Sequence, residues 1–394
     1  MNLLSNRVQN IKPSATIATT MKANALKAQG KDIIALSAGE PDFNTPAHVC
    51  EAAIAAIQAG KTRYTAVDGT SELKAAIIEK FKRDNQLAYT PEQLIVSNGA
   101  KHCIFNLLQA IINPGDEVIV LAPYWVSYPD MTTVCEGKPI IISTNYDQGF
   151  KVTPQQIEAA ITDKTKLIMF NFPNNPSGMA YSKSELKAIG EVLAKYPQVL
   201  ICSDDIYEHI LWTDEPFCNI VNANPHLKER TIVINGVSKA YAMTGWRIGF
   251  AAGPETIIKA MKKLQSQNTS NPCSISQAAA VAALSGDQSC LKPMVTAFKE
   301  RHDLVYKALT AMDGVRCLPG QGAFYAFPDM SQVIARLDGI NNDVELANFL
   351  LEKAGVALVP GTAFGVPGAI RLSYATNNEI LIKALNRIKQ AIDA

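Results

Sequence analysis

The 394-residue chain predicts an α/β protein, with a mostly parallel seven-stranded sheet flanked by helices and a smaller α+β unit after it. Three observations carry that prediction. Seven short runs rich in β-branched residues lack polar alternation, as strands buried on both faces should. Amphipathic segments of helical period separate them, and alternating strand and helix implies right-handed crossovers. After about residue 285 this rhythm stops, and one long amphipathic helix is followed by short mixed elements.

In chain order the strands are expected at QLIVSNG (93–99), DEVIVLAP (116–123), KPIIIST (138–144), KLIMFNF (166–172), QVLICSD (198–204), TIVINGV (231–237) and IGFAAG (248–253). Helices are expected at 100–112 and 182–196, where apolar residues recur with helical period. Thr153, Pro154 and Gln156 read as the N-cap, N1 proline and N3 glutamine of another helix. The long helix runs through 291–312, with Leu291, Met294, Phe298, Val305, Leu309 and Met312 on one face. Then come GAFYAFPDM (322–330), a helix near 343–354, VALVPG (356–361), AIRLSYA (369–375) and a last helix, capped by Thr376 and Glu379. The expected division is an N-terminal segment, 1–45, packing with the small domain; a large domain, 46–285; and a small domain, 286–394.

Composition narrows the function. A net charge of +1 gives no bias toward nucleic acid or anionic membrane. No apolar run approaches the roughly 18 to 20 residues that span a bilayer, and MNLLSNRVQNIKPS does not read as a signal peptide. The eight cysteines form no CxxC pair and the five histidines show no metal spacing, so no metal site is expected. Buried free thiols in a reducing cytoplasm are the simplest account.

In open parallel sheets ligands gather at the carboxyl ends of the strands. Those ends carry Gly99, Ala100 and Lys101 at a helix start, then Trp125, Asn175, Asp204, Tyr207 and finally Ser238 with Lys239. Each has an ordinary explanation alone: a glycine turn, a core aromatic, a turn amide, a capping carboxylate, a solvated lysine. Their convergence on one sheet edge does not. Pyridoxal phosphate uses such a set, because it needs a Schiff-base lysine and a carboxylate that keeps its ring nitrogen protonated. It also needs an aromatic plate, donors to its phenolate oxygen, and backbone N–H groups with an arginine fork for its phosphate. Positive charge such as Arg247 near Lys239 favours the neutral amine.

The stretches SAGEPDF (37–43), RYTAVDG (63–69), NNPSG (174–178), SDDIYEH (203–209), SKAYAMTGWRIGF (238–250) and IRLSYA (370–375) resemble, in order and over nearly the whole chain, the fold-type I, class I aminotransferases. The branch they resemble most includes bacterial enzymes acting on aspartate and prephenate. The resemblance implies that Lys239 anchors the cofactor and shuttles the proton, and that Asp204 pairs with the ring nitrogen. Asn175 and Tyr207 then bond the phenolate oxygen, and Trp125 stacks on the ring. Gly99, Ala100, Lys101, Arg247 and, from the second subunit of a homodimer, Tyr64 surround the phosphate. Arg371 clamps the substrate α-carboxylate, helped by Asn175 and the backbone at Gly39. Lys101, Thr16 and Lys12 match positions that meet a second carboxylate, which implies a dicarboxylate substrate. One departure stands out. Many relatives have a phosphate-binding serine three residues before the lysine, where this chain has Gly236, leaving Ser238 as a neighbouring hydroxyl.

Three other readings stay open on the residues alone. One is an aminotransferase of aromatic or broad specificity, or a carbon–sulfur lyase of the same fold. A second is a nucleotide-binding oxidoreductase, although no GxGxxG follows an early strand. The third is a non-catalytic homologue, against which the complete Lys239, Asp204 and Arg371 set speaks.

Overall fold

The structure, a computed structural model, describes residues 3–11 and 13–393; Lys12 lies outside the described residues. A two-residue strand, β1 (Ile34–Ala35), precedes the large sheet. That sheet contains β2 (Leu94–Ser97), β3 (Glu117–Leu121), β4 (Lys138–Ile142), β5 (Thr165–Asn171), β6 (Leu200–Asp204), β7 (Thr231–Gly236) and β8 (Gly249–Ala252). Their order across the sheet is β2-β8-β7-β6-β5-β3-β4. Strand β8 runs opposite to the other six, antiparallel to both β2 and β7. All seven expected strands form.

Burial follows position in the sheet. Every residue of β2, β3, β7 and β8 is buried. Covering each Val, Ile or Leu side chain contributes about 1.5–3 kcal/mol. Strand β4 differs from the expectation of two buried faces, because it is an edge strand and is mostly exposed or half-buried. It begins Lys138-Pro139, and a charge and a proline at an edge discourage further strand pairing.

The helices form where periodicity places them, at Ala100–Ile111, Pro154–Ala160, Lys183–Ala194 and Leu291–Thr310. Both halves of the Thr153–Gln156 capping box are made. The long helix buries Met294, Phe298, Val305 and Leu309, and adds His302 to that face. Met312 is buried just beyond its end, and Leu291 packs against the large-sheet core. The last helix, Asn378–Ile392, corrects one expectation. Its N-cap is Asn377, whose side chain accepts from the Ile380 N–H at 2.9 Å. Thr376 stands one residue too early to cap it. The expected helix near 343–354 is α-helical over Asp343–Phe349 and π-helical over Leu350–Ala354.

Beyond the large sheet, β9 (Tyr325–Ala326), β10 (Val356–Ala357), β11 (Val359–Pro360) and β12 (Ile370–Ser373) complete the strands. The order β11-β12-β9 is antiparallel. Strand β1 joins β10 in parallel, and Ala23 of the helix Ala15–Ala28 is buried with Ile33, Leu351 and Ala357. The N-terminal segment therefore touches the C-terminal elements directly. All eight cysteines are free; four are buried, but Cys273 is exposed. Among the described residues no helix is long and apolar enough to cross a membrane.

Candidate active site

The carboxyl ends of β5, β6 and β7 open on a cavity of about 480 Å³. Of the residues singled out in the sequence it is lined by Thr16, Gly39, Ala100, Lys101, Trp125, Asn175, Asp204, Tyr207, Ser238, Lys239, Arg247 and Arg371. The fold supplies them from far apart: the N-terminal segment, the start of the helix after β2, four strand ends and β12.

Lys239 follows β7 and faces the cavity, with protein enclosing its other sides. Its ammonium donates to the Gly39 carbonyl. Burial lowers its pKa to about 8; Arg371 and Arg247 push the same way, while Glu40 and Asp204 oppose. An amine with that pKa is available as a nucleophile or base close to neutral pH.

Asp204 ends β6 and is buried. Burial raises its pKa to about 6, against the hydrogen bonds from the Tyr128 hydroxyl (2.6 Å to Oδ2) and the Ile206 N–H. A buried carboxylate with no cation in contact favours a positively charged partner. Tyr207 is also buried, and its hydroxyl lies 2.9 Å from that of Tyr325.

The other end of the cavity is built for an anion. The helix Ala100–Ile111 starts after Gly99, whose φ of +89° suits glycine. A Cβ at Gly99 would fall 2.3 Å from Arg247 Nη2, so the absent side chain lets the guanidinium sit against the helix start. Arg247 donates to the Thr244 carbonyl at 2.8 Å and the Asn98 carbonyl at 3.2 Å. The N–H groups of Ala100 and Lys101 find no acceptor among the described residues, as expected for a helix start awaiting an anion. Burial and the nearby Arg247 lower the Lys101 pKa, and its Nζ lies 4.7 Å from the Trp125 ring centre.

Gly236 is explained by space. A Cβ there would lie 2.9 Å from the Ile248 carbonyl and 3.1 Å from the Gly249 Cα, so this backbone excludes a serine at 236. Ser238 lines the cavity in its place.

Arg371 projects from β12 and is 2% exposed. It donates to Asn175 Oδ1 at 3.0 Å and to the Ser37 carbonyl at 2.6 Å, while its Nε has no acceptor among the described residues. The Thr16 Oγ1 is likewise buried without a partner. A guanidinium this buried, facing carbonyl oxygens but no carboxylate, suits an incoming one.

Two predicted residues stand apart. Tyr64 lies outside the cavity and is 92% exposed. Lys12 lies outside the described residues. Sequence reading missed Tyr128, Asn171, Tyr325, Ser37 and Phe364. Asn171 bonds the Asp204 carbonyl at 3.0 Å and accepts from the Asn175 N–H. Helical spacing offered a signal for Tyr128, three residues after Trp125 at the same strand end. Nothing local marked Ser37, which acts through its carbonyl. Asn174, beside Asn175, organises the turn, bonding Pro123 and Ser177.

The donor set fits pyridoxal phosphate: a lysine of lowered pKa, a buried carboxylate for the ring nitrogen, a phenol, an indole, and free N–H groups with an arginine for the phosphate. The unpaired Arg371 adds a place for a substrate carboxylate beside it.

Comparison with known proteins gives the same answer. The chain matches the family described as aminotransferase class I and II over residues 31–388. It is 56% identical over 390 residues to the aspartate/prephenate aminotransferase of Nitrosomonas europaea, covering 98% of both chains. It superposes on the crystal structure of the aspartate aminotransferase from Rhizobium meliloti with a TM-score of 0.97 and 47% identity, covering 100% of this chain and 99% of that one. The aspartate aminotransferase of Thermus thermophilus with maleate gives a TM-score of 0.93 at 45% identity, covering 99% and 100%. With fold, cavity chemistry and relatives in agreement, the chain belongs to the pyridoxal-phosphate-dependent aminotransferases of classes I and II.

Proposed function

We propose that the protein moves the amino group of L-aspartate to 2-oxoglutarate, forming oxaloacetate and L-glutamate, and accepts prephenate as a further oxo acid. The observation that carries this reading is one cavity holding Lys239, Asp204 and the unpaired Arg371. Named activities of the Nitrosomonas and Rhizobium relatives support the choice of substrate.

Bound pyridoxal phosphate supplies the electron sink that lets a proton leave the substrate Cα. Lys239 would anchor the cofactor, and its Nζ, released when the substrate amine takes its place, would be the neutral base that takes and returns that proton. Asp204 would hold the ring nitrogen protonated, and Asn175 and Tyr207 would donate to the phenolate oxygen. Trp125 would cover the ring. The helix start at Gly99, Ala100 and Lys101, with Ser238 and Arg247, holds the phosphate. Arg371 binds the α-carboxylate through a two-pronged contact, with Asn175 and the Gly39 backbone beside it. Lys101, Thr16 and Lys12 serve the second carboxylate. The cycle is ping-pong: the first oxo acid leaves before the second enters.

The exposed Tyr64 reaches the phosphate site of a second copy, making the enzyme a homodimer. The chain divides into 1–45, 46–285 and 286–394, in keeping with separate apolar cores around the large sheet and around β9 and β12. Eight free thiols suit a cytoplasmic protein.

The test is spectroscopic. The purified protein should be yellow, bleach when L-aspartate is added, and regain its colour with 2-oxoglutarate. Turnover of tyrosine or alanine far above aspartate would overturn the substrate assignment.

A further inference from the structure

Tyr325 lies between the two halves of the site. It is fully buried in β9 and paired in register with Ser373 of β12, two residues from Arg371. Its hydroxyl is 2.9 Å from the Tyr207 hydroxyl. Its ring centre is 4.6 Å from the Arg371 Cζ, and Phe364 packs on the same guanidinium at 5.0 Å. Glycine at 39 leaves it room, since a Cβ there would stand 3.0 Å from the Tyr325 hydroxyl. One side chain therefore touches both the phenol at the cofactor end and the cation at the substrate end.

We propose that Tyr325 is a positioning residue that couples the two ends, supporting Tyr207 through its hydroxyl and Arg371 through its ring. This rests on the aminotransferase reading above. When Tyr207 donates its proton to the cofactor phenolate, its oxygen is left to accept, and Tyr325 is the donor in place. A phenol that accepts one hydrogen bond donates the next more strongly. At the other end, an aromatic face against a desolvated guanidinium holds it without competing for its N–H groups. The N–H groups that Asn175 and Ser37 do not use, Nε among them, stay available to a carboxylate. The charged groups facing the tyrosine pair are Arg371 on β12, Asp204 on β6 and Lys239 after β7.

Two variants separate the roles. Tyr325→Phe keeps the ring and removes the hydroxyl, leaving all three charged groups in place. With a weaker donor on the phenolate, the form carrying more negative oxygen is less stable. The pH midpoint of the holoenzyme's visible absorbance should therefore rise by roughly half a unit. Maleate binding, measured by the absorbance change of the same holoenzyme, should stay within about twofold. Tyr325→Leu removes both contacts, and maleate should then bind about fivefold or more weakly. An unchanged midpoint in Tyr325→Phe, or wild-type maleate binding in Tyr325→Leu, overturns the proposal while the parent reading stands. A wild-type protein that takes up no pyridoxal phosphate overturns both.

Discussion

Two groups of buried charges meet at the loop after β6, and they are handled in opposite ways. Behind the sheet edge, Glu208 is ion-paired with Lys80, and both side chains are almost completely buried. Asn85 and Asn235 each donate to Glu208 at 2.8 Å, and Lys80 donates to Asn85 at 2.7 Å. Burial alone would raise the Glu208 pKa, yet Lys80 and its other partners hold it below the usual value. In the cavity, four residues earlier, Asp204 has no cation in contact and Arg371 no carboxylate among the described residues. An unpaired buried charge costs several kcal/mol. The chain satisfies one cluster internally and leaves the other to be completed from outside. That is the physical mark separating a binding site from a structural network built of the same residue types.

The sharpest break of this comparison is Lys239→Ala. Turnover of aspartate with 2-oxoglutarate should fall roughly 10⁴-fold or more, since the proton carrier is gone. The apoprotein should be no less stable than wild type, because no ion pair is lost and a buried charge is removed. Lys80→Ala should do the reverse. It strips buried Glu208 of its lysine, leaving Asn85, Asn235 and His209 Nε2 at 3.3 Å beside it, at a cost of about 3–5 kcal/mol in urea unfolding. The variant that still folds should keep its KM for aspartate within a few-fold. If Lys80→Ala unfolded at the wild-type urea midpoint, the distinction between the two clusters would collapse.

Arg371→Lys comes next in size. Lysine keeps the charge but loses the two-pronged fork and the fit between the rings of Tyr325 and Phe364. We expect kcat/KM for aspartate to drop by about 30- to 100-fold, a loss of roughly 2–3 kcal/mol. An effect below threefold would mean that Arg371 does not bind the α-carboxylate.

How much of this was legible follows from where the information lies. The seven strands could be read because two-sided burial leaves continuous apolar runs, and β4 departs from the pattern only because its place at the edge is decided by topology. Lys239, Asp204, Asn175 and Tyr207 could be read because strand ends are visible in sequence and the sheet gathers them. The contacts of Arg371 could not. Its partners Ser37, Asn175 and Tyr325 are distant in sequence, and Ser37 contributes a carbonyl that any residue would have. The cap of the last helix failed for a different reason. Thr376 and Glu379 satisfy the spacing rule, but Asn377 is one residue closer and caps at least as well.

The smallest effect concerns the pH dependence of the apoprotein, where the two clusters should also differ. Lys239 has a folded pKa lowered to about 8 from the 10.5 of an ordinary lysine. Between those values the unfolded chain holds more protons than the folded one, so stability should rise with pH across that window. Asp204 has its pKa raised from 3.8 to about 6, so the folded state holds more protons there and stability should fall as pH rises through it. Each charge thus carries a penalty at neutral pH that its removal relieves. Lys239→Met apoprotein should be more stable than wild type at pH 7 by about 1–2 kcal/mol, water in the cavity reducing the full penalty. That gap should close by about pH 10.5. Urea midpoints measured on both proteins cancel the other groups that titrate in the same range. Parallel curves from pH 7 upward would show that the cavity lysine is not held at a cost. Pyridoxal phosphate should then abolish the wild-type disadvantage, because it supplies the partner the folded chain lacks.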